Sequence, residues 1–421
     1  MHSLPLQPAA FQPKNYMKLL FTFLITGIAL TNACAQTYAI IADRLIDGKS
    51  DKAINNPVVI VHGNKIIDIN FTNSIPDSAT VINLKGYTIL PGMMDMHTHL
   101  LADGRDYDKD LYNNTPSLRS LRAVMHLNYA LQNGFTTLRD VCTEGAGYAD
   151  VDLRKAIDSG YITGPRIFAS GRGIAATGNY FPMPMMQNWN IELPSGTQFA
   201  TGKDECVRTV REQVNRGVNW IKLFADWINP TFDFDEIKAV VDEAKKYNVH
   251  VAAHATSREG IRMAIQAGVA SIEHGDEFDD SLIAMAAANH TYWCPTISVM
   301  EYFNYPLDST YKYLNHAYRQ NIKIVLGTDI GSYPWNNNEA KELEYYVKKA
   351  GLTPMDAIKT ATLNPAELLG KQKTLGQIQK NFIANIIAVK GNPLDDITLL
   401  QHTVFVMKEG KVYKHQAEGG K

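Results

Sequence analysis

The sequence has 421 residues, of which 45 % are hydrophobic and 20 % are charged, and these values are typical of a globular protein with a large core. Its 41 basic and 43 acidic side chains give a formal net charge of −2, without a basic stripe or a run of like charges. This composition argues against nucleic acid and anionic membranes as partners.

The first 35 residues differ from the rest of the chain. Met17-Lys18 opens a short basic segment before an apolar run over 19–30, and Ala33-Cys34-Ala35 has the small-x-small form of a signal-peptidase site. The run is short for a membrane span, which needs about 20 residues. We expect residues 1–35 to be a signal peptide for export to the periplasm or the medium, with no membrane-spanning segment left after cleavage. An uncleaved anchor and lipid attachment at Cys34 are the alternatives.

Two β-patterned segments flank the middle of the chain, at residues 36–90 and 372–421. They consist of short apolar runs separated by turn sequences such as Asp47-Gly48 and Glu409-Gly410. Segments of this kind at both ends of a domain can pair with each other. We therefore predict a small β-sandwich formed by the N-terminal and C-terminal segments.

Residues 91–371 alternate short β-rich runs with amphipathic helical patterns, which is typical of parallel strands joined by helices. Several of the predicted helices end at a glycine, as helix C-termini commonly do. The pattern predicts an α/β fold, a (β/α)₈ TIM barrel. Its strands are expected at 88–97, 135–141, 166–170, 219–224, 249–254, 270–274, 291–295 and 323–329.

Polar side chains stand near the ends of five of these strands. His97 and His99 are two residues apart, so both side chains project to the same face of a strand. In barrel enzymes the C-terminal strand ends form the active site. Imidazole and carboxylate groups gathered there suit divalent metals, zinc above all, with manganese, iron and cobalt left open. The predicted metal ligands are His97, His99, Lys222, His254, His274 and Asp329.

Lys222 stands among apolar neighbours in the run 220–224. A buried ammonium group without a partner is costly, so something must compensate the charge. Reaction with CO₂ would turn the amine into a carbamate, whose two oxygens can bridge two cations. The alternative is a lysine that extends its amine to water. We favour the carbamate because histidines end the neighbouring strands.

The ordered set of ligands resembles the amidohydrolase superfamily in its binuclear carboxylated-lysine form. Segments 136–140, 221–224, 253–255 and 272–275 are similar to the imidazolonepropionase-related, prolidase-like branch. The resemblance implies that His97, His99 and Asp329 hold one metal, that His254 and His274 hold the other, and that carboxylated Lys222 bridges them. A bridging hydroxide would attack the substrate carbonyl, while the catalytic Asp329 takes a proton and returns it to the leaving amine.

Members of this branch commonly cleave dipeptides or N-acyl amino acids, so the resemblance implies a hydrolase similar to a Xaa-Pro dipeptidase. Its export is expected from the predicted signal peptide. The loop at 176–181 departs from the Gly-Gly-His run that the branch often carries, and this leaves the substrate open. A lid over 183–189 is a further expectation, with plain packing as its alternative. Candidate substrate contacts are Arg139 and Arg172 for a carboxylate, and Tyr180, Trp227 and Trp335 for a side-chain pocket, each with loop packing as the alternative.

Other functions remain open from the sequence. The same fold can hydrolyse cyclic amides, lactones or other non-peptide C–N bonds, and a mononuclear deaminase would not call for Lys222. A catalytically silent binding protein is a further alternative. The three cysteines after residue 35 are too widely spaced for a disulfide framework and are expected as buried thiols. The expected partner is a small molecule or dipeptide, and assembly into a homo-oligomer is left open.

Overall fold

The computed structural model describes residues 36–72, 74–178, 195–227 and 231–417. The predicted signal peptide, Tyr180 and the predicted lid at 183–189 lie outside these residues. The segment Gln36–Lys421 forms one compact unit. Among the described residues, no helix combines the length and the apolar character needed to cross a membrane.

Strands from both ends of the described chain share one sheet, which we call the terminal sheet. Its strands are β1 Thr37–Leu45, β2 Ile54–Asn55, β3 Val58–His62, β4 Lys65–Asn70, β5 Thr80–Pro91, β15 Ile386–Lys390, β16 Thr403–Lys408 and β17 Lys411–His415. Their order is β17-β16-β15-β5-β1-β3-β4, with β2 paired to β1, and only the β1–β5 pair is parallel. The arrangement of this sheet as a two-layered sandwich stays a prediction.

The middle of the chain contributes parallel strands in two further sheets. These strands are β6 Met93–Thr98, β7 Phe135–Asp140, β8 Arg166–Ala169, β9 Ile174–Ala176, β10 Gln198–Ala200, β11 Trp220–Phe224, β12 His250–Ala255, β13 Ser271–His274 and β14 Tyr292–Cys294. One sheet has the order β6-β7-β8 and the other β10-β9-β11-β12-β13-β14. The predicted barrel strands other than the first and the last coincide closely with observed ones. The short strands β9 and β10 were not predicted.

The eighth predicted strand, residues 323–329, is an irregular extended segment that links the two parallel sheets. Trp293 forms a parallel bridge with Ile324 on one side. On the other side, Met96 N donates to Leu326 O at 2.8 Å and Asp329 N donates to His97 O at 2.8 Å. The segment therefore aligns Asp329 with the end of β6, in a barrel-type arrangement.

The first barrel strand begins later than predicted. Residues 88–91 belong to β5 of the terminal sheet, and the barrel strand starts at Met93. Gly92 lies between the two strands. A Cβ atom at this position would lie 2.3 Å from Thr136 Oγ1, so only glycine fits here without a shift of its neighbours. The chain thus passes from sheet to barrel through a close backbone contact that a larger residue would disrupt.

Helices pack against the strands, and their ends follow local sequence signals. The helices are α1 Tyr107–Tyr112, α2 Pro116–Gln132, α3 Ala149–Asp158, α4 Gly202–Arg216, α5 Phe234–Lys246, α6 Arg258–Ala267, α7 Asp280–Ala288, α8 Ile297–Tyr302, α9 Asp308–Arg319, α10 Lys341–Lys348, α11 Pro354–Thr360 and α12 Leu363–Leu368, with a 3₁₀ helix at Ile397–Gln401. Asp233 and Glu236 form a capping box at the start of α5, and α4 and α6 end at the left-handed glycines Gly217 and Gly268.

Candidate metal centre

The predicted metal ligands are all buried, with at most 9 % of any of these residues exposed. His97 lies in β6 and His99 just after it, while His254 and His274 lie at the ends of β12 and β13. Lys222 is placed deeper, as the third of five residues of β11. Strands that are distant in the sequence therefore bring these side chains into the interior of one barrel mouth.

His97, His99 and Asp329 form a compact group. Asp329 Oδ1 lies 3.1 Å from His99 Nε2 and 3.7 Å from His97 Nε2. Their ligand atoms lie within 4.8 Å of one another, a spacing that could accommodate one metal ion. The donor set of two imidazoles and a carboxylate is one that zinc accepts.

The other two histidines continue this group. The ring centroids of His97 and His274 are 4.9 Å apart, and those of His274 and His254 are 4.5 Å apart. Four imidazoles thus form a contiguous row, with His99 and Asp329 at one end and His254 at the other. The row is long enough to divide its ligands between two neighbouring cations.

Three of the rings have Nδ1 bound to a neighbouring acceptor. His97 Nδ1 lies 2.8 Å from Glu273 Oε2, and His99 Nδ1 lies 3.0 Å from the Cys142 carbonyl oxygen. His274 Nδ1 is hydrogen-bonded to Thr296 Oγ1 at 2.7 Å. Each of these rings keeps Nε2 for a metal, as expected for metal-binding histidines, whose second nitrogen is normally held by the protein.

His254 has the opposite orientation. Its Nε2 lies 3.9 Å from Asp226 Oδ1, which leaves Nδ1 as the candidate ligand atom. Asp226 is itself fixed by the backbone N–H groups of Thr256 and Ser257, each at 2.9 Å, near the start of α6. The donor chemistry of all four imidazoles therefore fits metal binding.

The charges in the site depend on each other. Burial disfavours the charged form of His99, but the hydrogen bond and charge of Asp329 outweigh it and raise the pKa of His99 to about 9. Burial also works against an ionised Asp329, yet His97 and His99 hold the pKa of this carboxyl below its usual range. Burial lowers the pKa of Lys222. Burial together with the Lys222 charge lowers the pKa of His97. Burial, followed by the charges of His274 and Lys222, lowers the pKa of His254.

Several residues around the centre adopt the left-handed backbone region, which is uncommon outside glycine. His274 has φ 68°, Asp329 has φ 60°, and Thr296, the partner of His274, has φ 50°. Such conformations cost energy and persist only where the surrounding structure imposes them. Here they turn the side chains at the strand ends toward the row of imidazoles.

The predicted substrate residues have different surroundings from one another. Trp227 is 47 % exposed, and its ring centroid lies 4.7 Å from that of His254, so it can form a wall of the mouth. Arg172 is half-buried and donates to the Thr197 carbonyl at 2.9 Å. Trp335 is buried and donates to the Ala102 carbonyl at 3.1 Å, which makes it a support of the loop after β6 rather than a pocket wall.

Arg139, predicted as a contact for a substrate carboxylate, does not lie on a loop. It lies within β7, is fully buried, and donates to Glu273 Oε1 from Nη2 at 2.8 Å. We therefore revise its role from substrate contact to support of the centre. His250 is exposed at the start of β12, where its ring lies beside that of Trp220.

Sequence reasoning missed the groups that hold the ligands, namely Glu273, Asp226 and Thr296. Glu273 could have been noticed, because a glutamate inside the apolar run before His274 needs a buried partner. Asp226 and Thr296 follow strands that were predicted correctly, but the sequence does not distinguish them from ordinary loop residues.

Comparison with known proteins identifies the class of protein. The sequence model of the amidohydrolase family matches residues 88–419, and the chain belongs to this family. The predicted family resemblance and the enzyme class are thereby confirmed: the chain is a hydrolase acting on carbon–nitrogen bonds, with a fold of the TIM-barrel type.

Individual relatives narrow the position within the family. Ochratoxinase of Aspergillus niger is 30 % identical, with 90 % of this chain and 87 % of that protein covered. A crystal structure of a Xaa-Pro dipeptidase with methionine bound in its active site is 34 % identical with a TM-score of 0.82, covering 90 % of this chain and 100 % of the other. Imidazolonepropionase of Fusobacterium nucleatum is 21 % identical, covering 85 % and 91 %.

Proposed function

We propose that the chain is a two-metal hydrolase that cleaves the amide bond of a dipeptide or an N-acyl amino acid. The observation that carries the proposal is the buried row of four imidazoles with Asp329 at one end and Lys222 beneath it. The similarity to a Xaa-Pro dipeptidase, at 34 % identity, supports a substrate built from amino acids. The similarity to ochratoxinase supports an amide bond as the target within this family.

The donor groups fit two divalent ions. His97, His99 and Asp329 would hold one, His254 and His274 the other, and a carbamate on Lys222 would lie between them. Imidazole and oxygen donors favour zinc. When bound, such ions polarise a carbonyl and make a water molecule nucleophilic near pH 7. The apolar surroundings of Lys222 support the carbamate, because they disfavour the ammonium form and the lysine pKa is already lowered.

Asp329 is the group that moves the proton. Its lowered pKa keeps the carboxylate ionised at neutral pH, so it can accept a proton from the attacking water and pass it to the leaving amine. Ser332 Oγ donates to Asp329 Oδ1 at 2.7 Å and fixes the orientation of the carboxylate. The exposed ring of Trp227 beside His254 would cover an apolar part of the substrate and exclude water there.

The Lys222→Ala variant tests the two-metal centre. We expect two ions per chain in the wild type, loss of both from the variant, and a carbamate signal on the wild-type lysine with ¹³C-labelled CO₂. Lys408→Ala is the matched control, because Lys408 is also a buried lysine, 5 % exposed, but lies on β16 away from the site. One ion that persists in Lys222→Ala would instead indicate a mononuclear enzyme.

A substrate panel tests the bond that is cleaved. Purified protein with zinc should release amino acids from dipeptides or N-acyl amino acids, with Xaa-Pro dipeptides among the first to try. Turnover of lactones or cyclic amides alone would contradict the peptidase proposal while leaving the metal centre intact. Full metal occupancy without turnover of any amide or ester would support a binding protein.

We also propose that the protein is exported, with cleavage after Ala35. The apolar run at 19–30 and the small residues Ala33 and Ala35 support this proposal. N-terminal sequencing of the protein from the native host should give Gln36 as the first residue. A mature chain that begins at Cys34 with attached lipid would indicate a lipoprotein, and an intact residue 17 would exclude cleavage.

A further inference from the structure

We propose that Arg139 and Glu273 are positioning residues that fix His97 and make its metal site the tighter of the two. The inference rests on the proposed two-metal function and extends it to a difference between the sites. Neither residue would touch the substrate or the metals. Both would act through the His97 ring.

The pair forms a continuous buried link to the ligand. Arg139 Nη2 donates to Glu273 Oε1 at 2.8 Å, and Glu273 Oε2 lies 2.8 Å from His97 Nδ1. All three residues are at most 1 % exposed. An ion pair in such surroundings is strong only when its remaining hydrogen-bonding groups are satisfied.

The remaining donors of Arg139 are also engaged. Nε donates to the Met96 carbonyl at 2.6 Å and Nη1 donates to Ser271 Oγ at 3.0 Å, while the guanidinium lies 4.6 Å from the Trp220 ring centroid. These contacts reach β6, β11 and β13 from β7. Arg139 therefore fixes Glu273 against several strands, and Glu273 in turn fixes the tautomer and the angle of His97.

The imidazole ligands of the other site lack a comparably close carboxylate among the described residues. His274 has a neutral hydroxyl at 2.7 Å, and His254 has a carboxylate only at 3.9 Å. An ionised partner raises the basicity of a ligating imidazole and restricts its motion more than a hydroxyl does. The site of His97, His99 and Asp329 should thus bind its ion more tightly than the site of His254 and His274.

The same atoms could be interpreted as a third cation site, because Cys294 lies with His97 and Glu273 in a group with metal-ligand spacing. The Arg139 guanidinium argues against it. Its positive charge is 2.8 Å from the Glu273 carboxylate and would repel a cation bound there. The carboxylate is already neutralised by the arginine, which suits a positioning role.

Competition with a chromophoric zinc chelator tests the inference. The wild type should release its two ions in two steps of different affinity. In Glu273→Gln the tighter step should weaken by about 10–100-fold, and activity lost at limiting zinc should return at excess zinc. Glu243→Gln is the matched control, because Glu243 is a buried glutamate paired with Arg211 at 2.7 Å on α5, and its zinc release should equal that of the wild type.

The double variant Arg139→Met/Glu273→Gln separates positioning from folding, because it removes both buried charges and leaves neither unpaired. The double variant should fold, and its tighter zinc-release step should be weakened as in Glu273→Gln. Wild-type zinc affinity in the double variant would overturn the inference, as would equal affinities of the two wild-type sites or a third ion that disappears in Cys294→Ser. A wild type that binds no zinc would instead overturn the proposed function.

Discussion

His99 shows how strongly single residues in this centre depend on their neighbours. Its Nε2 lies 3.1 Å from Asp329 Oδ1, and although burial opposes the shift, the hydrogen bond and charge of Asp329 raise its pKa to about 9. Because this folded-state value exceeds the ordinary one of 6.5, the His99–Asp329 contact stabilises the fold fully below pH 6.5. That contribution is lost as the pH rises through about 9. A metal bound through His99 would have to displace this proton.

We therefore predict that zinc binding releases the His99 proton. Zinc affinity should rise between pH 7 and pH 9 by up to about tenfold per pH unit, because fewer protons compete for the ring. Calorimetry in buffers of different ionisation enthalpy measures the number of protons released. That number should fall by about one between pH 7 and pH 10, and a count independent of pH would contradict the prediction.

Thr296 allows a test of the proposed metal site of His254 and His274, because a single substitution removes only its hydroxyl group. Thr296→Val keeps the shape of the side chain but removes the hydroxyl that lies 2.7 Å from His274 Nδ1. We expect zinc at the His254–His274 site to be held about 10–100-fold more weakly. Quantitative chelator competition provides the measurement.

Two further substitutions control this experiment. Thr296→Ser restores the hydroxyl and should restore zinc affinity. Thr137→Val removes a buried hydroxyl that makes no hydrogen bond to the described residues, so it should leave zinc binding unchanged. Equal zinc affinity in Thr296→Val and the wild type would show that His274 does not need its partner.

At the scale of elements, the sequence predicted strand positions better than the contacts between strands. Apolar runs that end in His254, His274 or Asp329 mark strand ends, and the structure places strands or extended segments there. The contact between His97 and Glu273 joins residues 176 positions apart, and that between Arg139 and Glu273 joins residues 134 apart. Periodicity along one strand carries no information on such pairs.

The assignment of Arg139 failed for the same reason. An arginine at a strand end resembles a substrate contact until the fold shows a glutamate from another strand beside it. The predicted eighth strand is an irregular extended segment, whose apolar residues pack inward although a regular ladder is missing. Backbone conformations such as φ 60° at Asp329 depend on the complete fold, so they could not be predicted from the sequence.

Gly327 in this irregular segment permits its close approach to β6. A Cβ atom at this position would lie 2.2 Å from Cys294 Sγ and 2.7 Å from His97 Cβ. We predict that Gly327→Ala displaces the segment, lowers the free energy of unfolding by about 1–3 kcal/mol and weakens zinc binding through His97 and Asp329. Thermal denaturation and metal analysis measure the two effects.

The double variant Gly327→Ala/Cys294→Ala identifies the cause. Removal of the sulfur relieves the closer contact, so stability should return in part, while the contact with His97 Cβ remains. No recovery at all would place the main strain at His97. An unchanged Gly327→Ala protein would show that the segment has more room than the structure indicates.

At the scale of the whole molecule, β15 connects the terminal sheet with the barrel. Ile387 and Val389 pack into the large core around the barrel strands, whereas Ile386 and Ala388 pack into the core of the terminal sheet. The division into a β-sandwich domain of residues 36–90 and 372–421 and a barrel domain of 91–371 stays a prediction about architecture. It does not predict independent folding, since the two cores share this strand.

We predict that sheet and barrel unfold together. Ile387 is fully buried, so Ile387→Ala should lower the free energy of unfolding by about 2–5 kcal/mol through the cavity it leaves. In an unfolding titration, the midpoint of the fluorescence change and the midpoint of zinc release should both be lower than in the wild type, and the two should coincide. Ile67→Ala on β4, where 40 % of the residue is exposed, should change the free energy by no more than about 0.5 kcal/mol. Two separate transitions, with zinc retained after the first, would show instead that the barrel keeps its metal centre without the terminal sheet.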